Sequence, residues 1–249
     1  MAASPGKSST WSTRCGPLAA EPLSEAGPKP LRRAYGRRLG RKLSARRREL
    51  LAETLPRLCL PSGAIAPAAL FPEAADLWLE IGYGGGEHLA WQAERHPEIG
   101  FIGCELFQGG VASLVRHVDE RGLANIRHAQ DGHDVLERLP EAALGRCFLL
   151  FPDPWPKYRH WKRRFVRRES LDALARALRP GGEFRFASDD AELAAWTLMH
   201  LLAHPAFDWP ARGVADWDRR PEDWPETRYE RKAIAQGRHP IYLRFLRQG

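Results

Sequence analysis

An acidic residue and several glycines stand together in residues 77–86, whose sequence is LWLEIGYGGG. The apolar part of this segment ends in Glu80, and Gly82, Gly84 and two further glycines follow it. Glycine allows a ligand to lie directly against the main chain, because no Cβ intervenes. The pattern predicts a buried strand, a ligand-binding loop and a helix that begins near Glu87. A purely structural glycine turn is the alternative.

The charge around this loop favours a cationic ligand. A dinucleotide site needs the spacing G-x-G-x-x-G and an uncrowded helix N-terminus for the pyrophosphate. Here Glu80 and Glu87 flank the glycines and would repel a pyrophosphate. They suit S-adenosylmethionine, which carries an ammonium and a sulfonium. Glu105, which ends the apolar run 101–104, is placed to accept hydrogen bonds from a ribose diol, or is simply an exposed acid at a strand end.

A loop rich in proline follows a third apolar run. Residues 151–157 read FPDPWPK and come directly after the run 147–150. Three prolines in five positions restrict the loop and lower the entropy lost on ordering it. Asp153 is thus held at a strand's carboxyl end, where a carboxylate can orient an amino or imino group, and Trp155 can pack against a base. The alternative is a rigid structural turn.

The positive charge of the chain is concentrated in two clusters. The net charge is +7, from 38 basic and 31 acidic residues. Residues 29–48 and residues 157–168 are dense in Lys and Arg and contain no acid, and Tyr35, Tyr158 and Trp161 lie among them. Such clusters are typical of contacts with a phosphate backbone and of stacking on bases. A solvated basic surface is the alternative.

The remaining composition argues for a cytoplasmic protein without a metal site. The four cysteines lie far apart without a C-x-x-C motif, which predicts reduced thiols and no zinc, with Cys104 and Cys147 inside strands. There is no signal-peptide pattern and no apolar run long enough to span a membrane. Residues 1–30 lack apolar periodicity, and we expect them to be a disordered N-terminal extension.

The rest of the chain alternates helical and strand-like patterns. A basic arm, residues 31–60, is expected to enter a helix before Pro61. Further predicted helices are 87–94, 109–121, 168–178 and 189–202, and further predicted strands are 101–105, 126–130, 147–151, 183–187 and 241–246. Residues 179–182, RPGG, predict a sharp stop between a helix and a strand. This rhythm predicts an α/β fold with a mostly parallel, doubly wound sheet and ligands at the carboxyl ends of its strands.

These motifs, taken in order, resemble the bacterial tRNA (guanine-N7)-methyltransferases from about residue 32 onward. The shared segments are EIGYGGG at 80–86, Glu105, FPDPWPK at 151–157, KRR at 162–164, SD at 188–189 and TRYE at 227–230. The resemblance implies a Rossmann-like class I methyltransferase fold with an antiparallel last strand. It also implies methylation of N7 of a guanine at position 46 in the variable loop of tRNA.

The resemblance further implies a set of site residues. S-adenosyl-L-methionine is expected to contact Glu80, Gly82, Gly84, Glu105, Asp131 and Asp153, and Asp153 is also the expected catalytic residue. The tRNA is expected to contact Lys157, Asp189, Thr227, Arg228, Tyr229 and Glu230. Asp134 is the alternative to Asp131, because the match at residues 130–132 is loose.

The expected chemistry needs positioning rather than a general base. Guanine N7 is an unprotonated nucleophile, so transfer depends on an in-line approach to the sulfonium methyl group. Carboxylates of Asp153, Asp189 and Glu230 are placed to stabilise the charge that methylation creates on the base. Two alternatives stay open: another S-adenosylmethionine-dependent RNA base methyltransferase, and a non-catalytic RNA-binding protein. A monomer and a homodimer are equally compatible with the sequence.

Overall fold

The computed structural model describes residues 35, 36, 38, 40 and 42–249. The expected extension, residues 1–30, lies outside this described part, as do residues 31–34, 37, 39 and 41 of the basic arm. The arm leads into α1, Ala45–Leu58, which confirms the predicted helix. Leu51, Leu55 and Leu58 of α1 are buried, so the helix docks through one apolar side.

The described part of the chain contains one seven-stranded sheet. Its strands are β1 Asp76–Ile81, β2 Ile99–Cys104, β3 Ile126–Ala129, β4 Leu144–Leu150, β5 Leu178–Ser188, β6 Phe207–Asp208 and β7 Ile241–Arg247. They lie in the order β3-β2-β1-β4-β5-β7-β6. The first five strands pair in parallel, and β7 runs antiparallel to both of its neighbours. This confirms the predicted α/β architecture and the antiparallel last strand.

Helices connect these strands. They are α2 Pro67–Leu70, α3 Glu87–Arg95, α4 Gln108–Arg121, α5 Gly132–Arg138, α6 Arg168–Ala177, α7 Ala191–Leu202, α8 Ala215–Asp218 and α9 Arg228–Ala235, with a 3₁₀ helix at Tyr158–Arg163. The four predicted inter-strand helices correspond to α3, α4, α6 and α7. The predicted start of α7 at residue 189 is too early, because the Asp190 carboxylate accepts a hydrogen bond from the Leu193 amide at 2.8 Å and caps the helix.

The prediction for residues 179–182 is wrong in one respect. These residues do not separate the helix from the strand, because β5 already begins at Leu178, which pairs with Leu144. They form an irregularity inside the strand, with Gly181 in the left-handed region at φ +74°, and regular pairing resumes at Glu183. Glycine adopts this conformation without the steric cost that other residues meet.

The sheet separates two apolar layers because successive side chains of a strand point to opposite faces. Leu77, Leu79 and Ile81 of β1 pack in one layer with residues of α5, α6 and α7. Trp78 packs in the other layer with residues of α1, α3 and α4. Glu80 projects on the same face as Trp78, at the carboxyl end of β1. The buried apolar residues thus fix which side of the sheet receives this carboxylate.

Two of the described cysteines are the reduced thiols that the sequence predicts, and a third is not. Cys104 in β2 and Cys147 in β4 are buried free thiols, as predicted. Burial raises the pKa of both thiols, so they remain protonated and act as small apolar residues. Cys59 is disulfide-bonded, so the prediction of a reduced thiol is wrong there.

A buried histidine of β3 supports the loop after β1. His128 is buried, and its Nδ1 lies 3.0 Å from the hydroxyl of Tyr83. Burial lowers the pKa of His128 to about 4, so the imidazole is neutral at pH 7. A base whose folded pKa lies below its unfolded value destabilises the fold as the pH falls below the unfolded pKa.

We therefore expect His128 to cost about 2 kcal/mol of unfolding free energy between pH 7 and pH 5, since the unfolded chain takes up the proton and the folded chain does not. Denaturant unfolding at both pH values measures this. His128→Gln should lose that part of the pH dependence, whereas the control His239→Gln, at an exposed position, should keep it. Equal pH dependence in the wild type and His128→Gln would contradict the assignment.

Candidate active site

A cavity of about 380 Å³ lies at the carboxyl ends of the central strands. The strand order reverses direction between β1 and β4, and such a switch point leaves a crevice where α/β proteins bind ligands. Seven of the predicted site residues line this cavity: Glu80, Gly82, Gly84, Glu105, Asp153, Thr227 and Tyr229. Residues that lie up to 149 positions apart in the sequence thus meet in one place.

The glycine loop, residues 82–86, needs its glycines for geometric reasons. Gly82, Gly84 and Gly86 all have positive φ, at +74°, +55° and +74°. A Cβ on Gly82 would meet no atom within 4 Å, so this side of the loop is open. Gly110 of α4 approaches so closely that a Cβ there would lie 2.1 Å from the Gly84 carbonyl oxygen. The loop is therefore held tightly by α4 on one side and free for a ligand at Gly82.

The Glu105 carboxylate ties the glycine loop to the loop after β2. Its Oε2 accepts a hydrogen bond from the Gly84 amide at 2.8 Å, and its Oε1 accepts from the Leu106 and Phe107 amides at 2.7 and 2.8 Å. Burial raises the pKa of Glu105, these hydrogen bonds oppose the rise, and the nearby charge of Asp153 adds to it. A carboxylate has about four acceptor positions, so Oε2 retains one for a ligand.

Glu80 has a partner that sequence reasoning missed. The side chain is buried, and its Oε2 lies 2.7 Å from Nδ1 of His88, which lies in the first turn of α3. A helical pattern of His88 and Gln92, four residues apart on the buried side of α3, is the only sequence signal for this pair. The ring of His88 also packs edge-on against Phe148 of β4, with the centroids 4.7 Å apart.

Asp131 and Asp134, the two alternative cofactor contacts after β3, have different surroundings. Asp131 caps α5, where its Oδ1 accepts from the His133 amide at 2.9 Å. Its neighbours Gln130, Gly132 and His133 line the cavity, although Asp131 itself does not. Asp134 pairs with Arg138 at 2.8 Å along α5. The geometry favours Asp131 over Asp134 as the residue nearer to a ligand, and its binding role stays a prediction.

The proline loop, residues 151–157, carries backbone strain on both sides of Asp153. Phe151 and Trp155 have φ of +49° and +47°, an uncommon conformation for residues with a side chain. Such conformations cost roughly 1–3 kcal/mol each and persist only where their surroundings impose them. The Phe151 amide donates to the Ala187 carbonyl at 2.7 Å, which anchors the start of the loop to β5. The Asp153 side chain is exposed at the cavity.

Arg164 anchors the middle of the same loop. Its Nε donates to the Pro154 carbonyl at 3.0 Å, and its Nη2 donates to Glu192 of α7 at 2.6 Å. The guanidinium lies between the rings of Trp161 and Trp196, at 5.0 and 4.9 Å from their centroids. Only 2% of Arg164 is exposed. One member of the second basic cluster is therefore a buried support of the loop and is not available as a surface phosphate contact.

Arg163, the neighbouring residue, joins the arm to the proline loop. Its guanidinium lies 4.7 Å from the Trp155 ring centroid and 5.4 Å from that of Tyr35. One face of Trp155 is thus covered by a cation. Tyr35 and Gly36 of the arm also line the cavity, so the arm forms part of its rim.

The TRYE segment begins α9 and docks on the glycine loop. Thr227 caps the helix through a reciprocal capping box with Glu230. The Arg228 amide donates to Glu87 at 2.8 Å. Tyr229 is half exposed, and its ring lies 3.0 Å from where a Cβ on Gly84 would stand. This docking explains how a segment near the C-terminus reaches the cavity.

Other predicted contact residues stand apart from the cavity lining. Lys157 is exposed before the 3₁₀ helix. Asp189 pairs with Arg238 at 2.8 Å. Glu230 is buried, accepts a hydrogen bond from the Tyr242 hydroxyl and lies 3.6 Å from Arg220. Arg228 is exposed beside Glu87. The structure therefore does not bring these four side chains into the cavity, and their contacts with a substrate stay predictions.

Two further features are absent from the described residues. No group of three or more His, Cys, Asp or Glu side chains among them is arranged to hold a metal ion. None of the helices in the same part of the chain combines the length and the apolar character needed to cross a membrane.

The sheet order, the open glycine loop and the acids at the ends of β1 and β2 define a Rossmann-like methyltransferase. A family model described as "Putative methyltransferase" matches residues 74–243. A tRNA (guanine-N(7)-)-methyltransferase of Rhodospirillum rubrum is 52% identical over 224 residues, which cover 87% of this chain and 88% of that protein. One of Azorhizobium caulinodans is 52% identical over 216 residues, which cover 86% and 94%.

Among solved structures, the chain is similar to a mutant of the 16S rRNA (adenine(1408)-N(1))-methyltransferase from Catenulisporales acidiphilia. The TM-score is 0.49 and the identity 16%, over 74% of this chain and 92% of that one. The chain belongs to the tRNA (guanine-N(7)-)-methyltransferase family, because it is 52% identical to both of these curated relatives over most of its length. The resemblance noted in the sequence motifs is thereby confirmed.

We expect Gly110→Ala to destabilise the protein even though alanine favours a helix over glycine by about 1 kcal/mol. The added methyl group would meet the Gly84 main chain, and overpacking of this kind costs about 1–3 kcal/mol, so a net loss is expected. Gly109→Ala is the matched control, since the three atoms nearest to its methyl group belong to the Phe107 side chain and not to the main chain. Denaturant unfolding compares the two. A Gly110→Ala variant more stable than the wild type would show that the contact is loose.

Proposed function

We propose that the protein transfers a methyl group from S-adenosyl-L-methionine to N7 of a guanine in tRNA, at position 46 of the variable loop. The observation that carries the proposal is the meeting of three carboxylates, Glu80, Glu105 and Asp153, beside an open glycine loop in one cavity. The names of the curated relatives support the same reaction.

The lining residues and the volume of the cavity are suited to S-adenosyl-L-methionine. When bound, this cofactor supplies an electrophilic methyl group on a sulfonium. Glu80 is placed to receive a cationic group, and Glu105 offers its remaining Oε2 acceptor position to a hydroxyl. The open side of Gly82 lets a ligand approach the main chain. Asp131 is the proposed contact at the end of β3, and a cavity of about 380 Å³ is within the usual range of roughly 300–1,000 Å³ for such ligands.

The tRNA is proposed to reach the cavity across its basic wall. Lys162, Arg163 and Arg167 line the same cavity as the carboxylates. Lys162 is exposed and is suited to a phosphate contact. Thr227 and Tyr229 border the same opening, and Lys157, Asp189, Arg228 and Glu230 are the further proposed contacts. N7 lies on an edge that side chains do not reach inside an A-form helix, so the target base must be exposed or flipped.

The chain's own residues contribute position and charge to the reaction. N7 already carries a lone pair, so no side chain has to remove a proton. Asp153 stands exposed on a rigid loop and is suited to accept hydrogen bonds from the base and to stabilise the positive charge that methylation creates. Arg164 and the strained residues Phe151 and Trp155 keep that carboxylate in place. We assign catalysis to this positioning.

The proposed organisation is one methyltransferase domain over residues 31–249, with residues 1–30 as an extension and 31–60 as its basic arm. The described part of the arm contributes Tyr35 to the cavity rim, which supports a role for the arm beside the site. A tRNA substrate accords with a cytoplasmic protein.

The direct test is methyl incorporation into tRNA. Purified protein, labelled S-adenosylmethionine and tRNA from a strain that lacks 7-methylguanosine should give labelled 7-methylguanosine, and mapping the nucleotide should place it at position 46. Label on another base would support the alternative RNA base methyltransferase. Binding without any incorporation would leave the non-catalytic alternative.

We expect Asp153→Asn to lower turnover by about 10²-fold or more, since removal of one preorganised group that stabilises developing charge typically costs 10²–10³-fold. The exposed position of the side chain means that the fold should survive. Asp208→Asn, at an exposed acid of β6, is the control and should keep wild-type turnover. Single-turnover methyl transfer measures both. Wild-type turnover in Asp153→Asn would make the residue structural only.

Lys162 and Arg164 should behave differently although both belong to the second basic cluster. We expect Lys162→Gln to reduce the slope of log affinity for tRNA against log salt by roughly 0.7–0.9, the value for one lost phosphate contact. Arg164→Gln should leave the slope unchanged and lower turnover, because the buried guanidinium supports the proline loop. Filter binding over a salt series and steady-state kinetics measure the pair. A reduced slope in Arg164→Gln would contradict its internal role.

A further inference from the structure

A chain of buried hydrogen bonds leads away from Glu80 through α3. Glu80 Oε2 lies 2.7 Å from His88 Nδ1, and His88 Nε2 lies 3.2 Å from Gln92 Nε2. Gln92 Nε2 in turn donates to the main-chain carbonyl of Asp223 at 2.8 Å. Glu80, His88 and Gln92 are each at most 3% exposed. The bonds are therefore formed without competition from water.

The network determines the proton positions on His88. The Asp223 carbonyl only accepts, so the atom of Gln92 that faces it must be the amide nitrogen. That nitrogen has a second hydrogen and no available lone pair, so it donates to His88 Nε2. With Nε2 as acceptor, the neutral imidazole carries its hydrogen on Nδ1 and donates it to Glu80. The Glu80 carboxylate is thus oriented by the hydrogen that His88 donates from Nδ1.

The other end of the chain leads to the TRYE segment. Asp223 is fixed again through its carboxylate, which accepts from Arg185 of β5 at 2.7 Å. Trp224, the next residue, packs edge-on against His88 with the centroids 5.9 Å apart. Four residues after Asp223 the chain reaches Thr227 and enters α9. The position at which this segment approaches the glycine loop therefore depends on where Gln92 holds Asp223.

We propose that His88 and Gln92 are positioning residues: His88 orients Glu80 for the cofactor, and Gln92 places the segment from Asp223 to Thr227 for the tRNA. The proposal rests on the proposed function. Both roles belong to one side of α3, because His88 and Gln92 lie on adjacent turns of this helix. The glycine loop leads directly into the N-terminus of the same helix. The helix α3 then fixes the position of the cofactor-binding residues relative to the position of the tRNA-binding residues.

Three variants separate the two roles. His88→Leu removes the donor to Glu80, and His88→Asn restores a donor near the position of Nδ1. Gln92→Leu removes the link to Asp223 and leaves His88 beside Glu80. Glu94→Gln is the control, because Glu94 is an exposed residue of the same helix that pairs only with Arg121 among the described residues. The readouts are the Kd for S-adenosylhomocysteine by calorimetry and the KM for tRNA.

A lost hydrogen bond to a charged group typically weakens binding about tenfold or more, so we expect that change in Kd for His88→Leu and a change under about threefold for His88→Asn. Gln92→Leu should raise the KM for tRNA about tenfold and change the Kd less than about threefold. A wild-type Kd in His88→Leu, a wild-type KM in Gln92→Leu, or equal weakening in both His88 variants would overturn the proposal.

The tautomer of His88 can be measured on the wild-type protein, so this test does not depend on the folding of a variant. Nitrogen-15 NMR of the imidazole should show hydrogen on Nδ1 of His88 and none on Nε2, and the opposite tautomer would overturn the assignment. Failure of the proposed function is distinguishable: wild-type protein would bind S-adenosylhomocysteine and not methylate tRNA, while the His88 variants would still report on Glu80.

Discussion

The Glu105 carboxylate is the interaction on which the arrangement of this site depends. Three main-chain amides from two loops converge on it, one from the glycine loop and two from the start of the segment that leads into α4. Hydrogen bonds to a charged group are roughly twice as strong as neutral ones. They hold the loops after β1 and β2 at a fixed separation. Gly110 approaches Gly84 closely in this arrangement because it has no Cβ.

The cavity beside this carboxylate is lined by both acidic and basic residues. The acids stand at the ends of β1, β2 and β4, where the sheet brings them together, and burial raises the pKa of Glu105 against the pull of its amide donors. The basic residues come from the chain that follows the proline loop and line the same cavity. The cavity therefore offers carboxylates to a cationic cofactor group and basic side chains to an anionic nucleic acid.

Residues at strand ends were predictable from the sequence, because parallel strands bring their carboxyl ends to one edge. This is why Glu80, Glu105 and Asp153 could be grouped before the structure was known. Side chains whose partners lie on distant segments could not be placed in this way. Asp189 pairs with Arg238, and Glu230 bonds with Tyr242, through contacts that no local pattern indicates. For the same reason the sequence did not indicate which residues of the arm, Tyr35 and Gly36, line the cavity.

The proline loop shows why charge composition alone did not identify Arg164 as a buried residue. Counting charges treats every cation of the cluster as surface, yet a loop with strained residues at Phe151 and Trp155 needs internal donors to hold its carbonyl groups. A lysine could supply one hydrogen bond there. The planar guanidinium donates both to Pro154 and to Glu192 while it stacks between two tryptophans. The second basic cluster thus contains both a cation that makes the proline loop rigid and cations that lie at the surface. Only their burial distinguishes the two kinds of residue.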